Sequence, residues 1–279
     1  MEEPLVSIIM GTYNPKISLF KSAITSLQNQ TFENWELLLI DDGSVRSIYN
    51  EIRNILTDEP RACCIRIKQN QGLAHALNCG IRMARGKYIA RMDDDDFSLP
   101  TRLEEQVNYL NRNLEYGWVG CEADLFDNNG IWGKANRPEK PNKKSFLHSS
   151  PFIHPSVMFR KELLLNIGGY SENIYASRCE DYELFMRLYA KGYKGYNIKK
   201  SLFQYRDDAI YLRRSLKYCY YEMRIRAQGF ARMNILSIKS LPYVLKPLFV
   251  GMASLFPSWA QKLRISRKTN DHRVTAEKS

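Results

Sequence analysis

The run Arg91-Met92-Asp93-Asp94-Asp95-Asp96 sets four carboxylates in succession directly after the apolar Tyr88-Ile89-Ala90 and before a helical pattern that starts near Thr101. Carboxylates this close repel one another, and burial raises their pKa values unless a cation neutralises them. A divalent cation is the simplest neutraliser. Hard Mg²⁺ or Mn²⁺ takes few protein carboxylates and completes its coordination with water and phosphate oxygens. The same residues also fit a solvated acidic turn capping the Thr101 helix, where acids suit the positive end of the dipole. Company separates the two readings: an acidic turn needs no partners, whereas a nucleotide site needs a stacking ring, a base acceptor and a phosphate anchor in one place.

The elements that would assemble such a site are legible as short apolar runs. Val6–Thr12 reads as a buried strand ended by Asn14-Pro15, and Trp35–Ile40 as a second ended by Asp41-Asp42-Gly43-Ser44. A third strand is expected around Cys64–Ile67 and a fourth over Tyr88–Met92. Helical patterns lie between them: one capped by Ser18 with Leu19, Ala23 and Leu27 on a stripe, one through Ile48, Ile52 and Leu56, and one from Gly72 to Met83. This alternation predicts an α/β fold, a doubly wound, mostly parallel sheet of Rossmann-like type. Ligands of such sheets sit beyond the carboxyl ends of the strands. Thr12-Tyr13-Asn14, Asp41-Asp42 and Asp93–Asp96 are therefore expected along one edge, with Tyr13 able to stack on a base and Asp41 to accept an imide N–H. Singly, Tyr13 is a turn aromatic and Asp41-Asp42-Gly43 ordinary turn chemistry. No G-x-G-x-x-G follows the first strand and no P-loop occurs.

Further along, a helix is expected over Thr101–Leu110 and another from Leu163, ended by Gly168. Strands are expected over Trp118–Phe126, after His154-Pro155-Ser156, and over Tyr193–Ile198 and Leu202–Tyr205. Asp127-Asn128-Asn129-Gly130 reads as a hairpin turn. Residues 134–144, rich in Pro, Lys and Asn without apolar periodicity, are expected to form a mobile loop over the site. Glu180-Asp181-Tyr182-Glu183 opens a helix, where acids also offset the dipole.

With 279 residues, 44% of them hydrophobic, the chain can bury one large core and carry an appendage. Its net charge of +11 is uneven, since after Asp208 the only acids are Glu222, Asp271 and Glu277. A basic carboxy-terminal part suits phosphates or an anionic membrane surface. Nucleic acid is disfavoured: there is no zinc-finger spacing, RNP-like aromatic motif or basic zipper. Six cysteines without C-x-x-C spacing, and no basic-apolar leader, point to a reducing cytoplasm. Ser215–Arg232 is expected to be helical. From Leu241 to Trp259 the chain is apolar but interrupted by Pro242, Pro247 and Pro257, too broken for a span of about 20 residues. An interfacial hairpin with Trp259, Lys262, Arg264, Arg267 and Lys268 at the headgroups and a helical pair packed on the domain both fit.

Val6-Ser7-Ile8-Ile9 through Thr12-Tyr13-Asn14, Ile40-Asp41-Asp42-Gly43-Ser44, Asn70-Gln71-Gly72-Leu73-Ala74, Arg91-Met92-Asp93-x-Asp95-Asp96 and Glu180-Asp181 resemble, in order, the motifs of the family 2 glycosyltransferases with a GT-A fold. The resemblance runs from about Val6 to Arg206. It implies inverting transfer from a nucleoside diphosphate sugar with Mn²⁺ or Mg²⁺. It would put Tyr13 and Asp41 on uracil, within a donor set of Thr12, Tyr13, Asn14, Asp41, Arg91 and Asp93. Asp93 would lie near ribose and metal, and Asp95 on the metal that bridges the diphosphate. Asp94 fills the variable position of the D-x-D-D pattern and adds a charge there. Asp181 would be the general base, with Glu180 beside it, because an acceptor hydroxyl must lose its proton as it attacks. His154, Asp96, Arg206 and Arg213 are the candidates for acceptor contacts, although a lone histidine such as His154 more often makes a structural hydrogen bond.

On this reading residues 1–210 form the GT-A catalytic domain, with 1–100 the nucleotide-sugar half and 101–210 the acceptor half. Residues 211–268 form a basic, apolar membrane-associating extension, and 269–279 a disordered tail. The expected activity is transfer of a hexose, glucose or galactose, from a UDP-sugar to polyprenyl-diphosphate-linked N-acetylglucosamine, giving a β-1,3 linkage in O-antigen or surface polysaccharide synthesis at the inner face of the cell membrane. Bacterial O-antigen transferases that add a second sugar are the members it resembles most. Two alternatives stay open. A sugar-phosphate nucleotidyltransferase should carry a glycine-rich, lysine-containing loop after its first strand, which Thr12–Pro15 does not supply. A non-catalytic sugar-nucleotide or glycan-binding module would bind UDP without turnover.

Overall fold

The structure, a computed structural model, describes residues 3–208 and 215–253. Its first half is the expected alternation of β1 (Val6–Thr12), α1 (Ile17–Gln28), β2 (Trp35–Asp41), α2 (Arg46–Leu56), β3 (Ala62–Arg66), α3 (Leu73–Met83) and β4 (Tyr88–Arg91). These four strands lie side by side in the order β3-β2-β1-β4, all parallel. Every residue of β1, β2 and β4 is buried. Strands covered on both faces must be apolar throughout, which is why they read as continuous runs.

The second half adds β5 (Phe97–Ser98), α4 (Arg102–Arg112), β6 (Trp118–Asp127), β7 (Gly130–Ala135), β8 (Met158–Arg160), α5 (Lys161–Ile167), α6 (Glu180–Ala190), β9 (Gly195–Arg206), α7 (Leu216–Arg232) and α8 (Leu241–Ala253). The sheet continues from β4 through β8, β6 and β9 to β5, and β7 is hairpinned onto β6. Because β8 is antiparallel to both β4 and β6, β6 and β9 again point the same way as β4. Two apolar layers sandwich this sheet. Side chains of α1, α2 and α4, among them Phe20, Leu27, Ile52, Leu103 and Leu110, cover one face. Those of α3, α5, α6 and α7, among them Leu77, Ile81, Leu164, Phe185 and Phe230, cover the other. The layers approach closely: a Cβ at Gly80 of α3 would stand 2.5 Å from Ile9 Cγ2, and one at Gly229 of α7 would stand 2.3 Å from Met186 Sδ.

Three local expectations are corrected. The cap residue of α1 is Lys16, whose carbonyl already accepts from Leu19 and Phe20, so Ser18 lies inside the first turn and caps nothing. The segment 134–144 is not a free loop. Its start belongs to β7, and its carbonyls are taken by groups from elsewhere: Asn197 Nδ2 donates to Pro138 O at 2.7 Å, Asn197 N to Glu139 O at 2.9 Å and Tyr189 Oη to Pro141 O at 2.9 Å. The strand β5, only Phe97-Ser98, was not expected; it pairs antiparallel with β9.

At the carboxy end α7 packs on α6 and α8 on α7, with Val244 of α8 buried and Pro247 within the helix. Among the described residues no helix is long and apolar enough to cross a membrane. Arg213, the tail 269–279 and the proposed headgroup residues Trp259, Lys262, Arg264, Arg267 and Lys268 lie outside the described residues.

Candidate active site

The carboxyl ends of β1 and β2 are in register, Thr12 beside Asp41, and β3 places Arg66 next to Asp41. Asp41 is fully buried; its Oδ1 accepts from Ser44 N at 3.2 Å, while Oδ2 lies 3.5 Å from Arg66 Nε and makes no hydrogen bond. A buried carboxylate oxygen paired only by charge keeps an acceptor position for an N–H. Arg66 escaped the sequence reading. Its guanidinium donates to Ser44 O at 2.6 Å and stacks 4.3 Å from the Tyr49 ring; the available signal was an arginine ending the strand that neighbours Asp41.

Asp42 and Asn14 do structural work. Asp42 accepts the N–H groups of Gln71 at 2.9 Å and Gly72 at 2.7 Å, and Gly72 holds the left-handed φ of 92° that this turn needs. Asn14 N donates to Ser44 Oγ at 2.8 Å and Asn14 Oδ1 accepts from Val45 N at 2.9 Å, so its side chain ties the two strand ends together. Between these clasps Tyr13 is 53% exposed.

The acidic run meets this edge through Thr12, whose Oγ1 donates to Asp94 Oδ2 at 2.5 Å. The charge at the variable position is thus turned onto β1. Burial pushes the Asp94 carboxyl up to about 6 against that bond, with Asp93 and Asp95 adding repulsion. Arg91 is buried, with Nη1 2.6 Å from Asp93 Oδ1 and, among the described residues, no hydrogen-bond partner for Nε or Nη2. Burial and then Asp93 raise Asp95, opposed by Arg206. Asp96 is 1% exposed; its Oδ1 accepts from Arg206 N at 2.7 Å. The Arg206 side chain pairs with Asp208 at 2.6 Å and donates to Asn128 at 2.9 Å. Asp96 and Arg206 therefore brace one another. A second brace is the fully buried Arg102, whose Nη2 donates to Arg91 O at 2.7 Å and Pro155 O at 3.2 Å.

Asp94, Asp95 and Asp96 are pushed up by burial and by the charges beside them, and the run sets four carboxyl groups against Arg91, which is the environment a divalent cation fits. Among the described residues no three His, Cys, Asp or Glu side chains form a cage for a metal.

Glu180 and Asp181 open α6. Burial, and after it the Glu180 charge, pushes half-buried Asp181 up to about 7, opposed by N–H groups at the helix start. Glu180 is raised by burial as well. The Arg91 charge acts on Asp95, Asp96, Glu180 and Asp181 alike, so the acidic run and the α6 start share one electrostatic site. Nearby, His154 Nε2 lies 2.8 Å from Tyr170 Oη, and burial followed by Arg91 holds the imidazole well below its usual pKa, keeping it neutral. Tyr170 is anchored in turn by Asn78, which accepts from its N–H at 2.8 Å and donates to its carbonyl at 2.9 Å. A cleft of about 610 Å³ lined by residues such as Gly168, Glu183, Arg187 and Arg232 contains none of the predicted site residues.

The sequence profile of the family described as Glycosyl transferase family 2 matches residues 7–168. The chain belongs to this family. Among its glycosyltransferase relatives, EpsE of Bacillus subtilis is 34% identical over 247 residues, covering 88% of each chain. An Escherichia coli protein named UDP-Gal:alpha-D-GlcNAc-diphosphoundecaprenol beta-1,3-galactosyltransferase is 29% identical, covering 85% of this chain and 86% of its own. The glycosyltransferase fold has solved counterparts. S. aureus TarS 1–349 in complex with UDP-GlcNAc superposes with a TM-score of 0.65 at 16% identity, over 88% of this chain and 71% of TarS. The Pyrobaculum calidifontis mannosyltransferase PcManGT, in complex with GDP-Man and Mn²⁺, gives 0.60 at 18% identity over 100% and 77%. The matched profile ends in the loop after α5, so the glycosyltransferase family match covers the acidic run but not Glu180 and Asp181.

Proposed function

We propose that this glycosyltransferase moves a hexose, glucose or galactose, from a UDP-hexose to an N-acetylglucosamine carried on a polyprenyl diphosphate, forming a β-1,3 linkage with Mn²⁺ or Mg²⁺. The observation that supports the reading is the convergence on one sheet edge of an exposed ring at Tyr13, a buried Asp41 with an open acceptor oxygen and the Asp93–Asp96 run, with the Asp181 carboxyl, at about 7, at the start of α6 within reach of the same Arg91 charge. Tyr13 stacks on uracil while Asp41 Oδ2, which lies 3.5 Å from Arg66 Nε, accepts its imide N–H. Asp95, with Asp93, would hold the cation, whose charge would stabilise the leaving diphosphate when bound.

Asp181 takes the proton from the acceptor hydroxyl. The hydroxyl oxygen bonds to the anomeric carbon as the bond from that carbon to the UDP oxygen breaks, so an α-linked donor yields a β-glycoside. The backbone N–H groups of Tyr182 and Asp181, and after them the Arg91 charge, keep Asp181 from rising further and so keep a base available near neutral pH. The lipid-linked acceptor is supported by the name of the Escherichia coli relative. Docking at the inner face of the membrane is supported by apolar side chains that α8 leaves exposed, Leu241, Phe249 and Met252, and by the basic sequence that follows.

The test is a UDP-release assay with a panel of UDP-hexoses, Mn²⁺ and a synthetic N-acetylglucosamine diphosphate lipid, followed by NMR of the product. Release dependent on both acceptor and metal, with a β-1,3 product, is expected. UDP binding without turnover for every donor would instead identify a binding module.

A further inference from the structure

Outside the residues used so far, the three-residue 3₁₀ turn Ile174–Ala176 and the first two turns of α7 build an unusual patch. Tyr175, Tyr218, Tyr220 and Tyr221 form a contiguous aromatic group, with Tyr221 at its centre 5.1 Å from Tyr175, 6.0 Å from Tyr218 and 6.4 Å from Tyr220. Three cations lie on these rings: Arg224 stands 4.1 Å from the Tyr175 centroid, Arg178 4.7 Å from Tyr218 and Lys217 5.7 Å from Tyr221. None of the three pairs with a carboxylate among the described residues. The nearby Glu222 is paired with Arg226 at 2.8 Å.

Arg224 Nη1 donates to Tyr220 Oη at 3.4 Å, and stacking on a ring leaves the other guanidinium N–H groups of Arg178 and Arg224 able to donate to phosphate oxygens. The patch adjoins the site by chain continuity. Arg178 holds a left-handed φ of 64°, rare for a side chain of its size, and leads through Cys179 into Glu180 and Asp181. Apolar neighbours flank the cations: Ile174 is 59% exposed and Leu216 44%. Three unneutralised charges, an aromatic floor and an apolar rim fit an anion that carries sugar on one side and hydrocarbon on the other.

We infer that Arg178, Lys217 and Arg224 bind the diphosphate of a lipid-linked acceptor and deliver its sugar to Asp181. This rests on the acceptor class proposed above and assigns the residues that recognise it. The donor also carries a diphosphate, and anionic lipid headgroups share the charge, so the experiment separates the three sources.

In the full chain, Lys217→Gln, Arg224→Gln and Arg178→Asn, the last keeping a residue that tolerates the left-handed backbone, are each expected to raise KM for a short-alkyl N-acetylglucosamine diphosphate about tenfold. KM for UDP-hexose and kcat should stay within about twofold. An alkyl N-acetylglucosaminide lacking the diphosphate should not distinguish variants from wild type. Calorimetric titration of the short-alkyl diphosphate sugar, without donor or metal, reads the same site without turnover. If wild type binds it, the variants do not, and no UDP-hexose is turned over, the inference stands while the proposed reaction falls. Several results would overturn the inference: no binding by wild type, equal binding by wild type and variants, a matching rise in the UDP-hexose KM, a lowered melting temperature with unchanged acceptor KM, or loss of phosphatidylglycerol vesicle binding alone.

Discussion

Protonation of Asp181 sets a pH dependence that can be worked through. Its carboxyl is held at about 7, and only the ionised form accepts a proton from the acceptor. About half the enzyme carries the base at pH 7, about one tenth at pH 6 and about one hundredth at pH 5. The base is therefore lost as pH falls, and kcat/KM for the acceptor should drop about tenfold per unit below 7 and level off above it. Glu180→Gln removes the second cause of the shift, a neighbouring negative charge, so the midpoint should move to lower pH. It should stay above the ordinary carboxylate range, because burial, the larger cause, remains. Asp181→Asn should lower kcat by about 10² to 10⁴ while leaving UDP binding intact. UDP release at saturating Mn²⁺ between pH 5 and 8.5, with UDP affinity measured in parallel, reads all three. A flat profile, an upward shift in Glu180→Gln, or an asparagine variant within about tenfold of wild type would refute the assignment.

Three further outcomes concern the donor edge and the core. Mn²⁺ and UDP together should stabilise the protein by about 2.7 kcal/mol at a hundredfold excess over Kd, read as a rise in Tm; Asp95→Ala should abolish both the metal-dependent part of that rise and transfer. Asp42→Ala strands the N–H groups of Gln71 and Gly72 and should cost about 1–3 kcal/mol in urea unfolding; an unchanged midpoint would show that the turn stands without it. Gly80→Ala places a methyl 2.5 Å from Ile9 Cγ2 and should destabilise by about 1–3 kcal/mol, whereas an unchanged Tm would show that α3 can slide away from β1.

What the sequence disclosed follows from where information is local. Runs such as Val6–Thr12 and Trp35–Ile40 need no partner to be recognised as doubly covered strands, and their order already implies a common carboxyl edge. The residues at that edge, Tyr13, Asp41 and the acidic run, were legible for the same reason. Contacts made across long separations were not. Phe97-Ser98 is too short to carry a periodic signal and is a strand only because β9 lies beside it. Residues 134–144 lack apolar periodicity, yet Asn197 and Tyr189, more than forty positions later, fasten their carbonyls. Asn14 was expected in the donor set, but its side-chain oxygen accepts from Val45 N, and Asp96 looked available until Arg206 N filled one oxygen. Arg66 carried no signal of its own beyond its position at a strand end.

The antiparallel contact of β4 with β8 amounts to three residue pairs, Tyr88 with Arg160, Ile89 with Phe159 and Ala90 with Met158. It is a narrow seam between the parallel strands β3-β2-β1-β4 and the rest of the sheet. A chimaera cut there would have to re-form these pairings and also preserve the bonds that cross the seam elsewhere: Arg102 to the Arg91 and Pro155 carbonyls, Asn78 with Tyr170, and Arg206 N to Asp96.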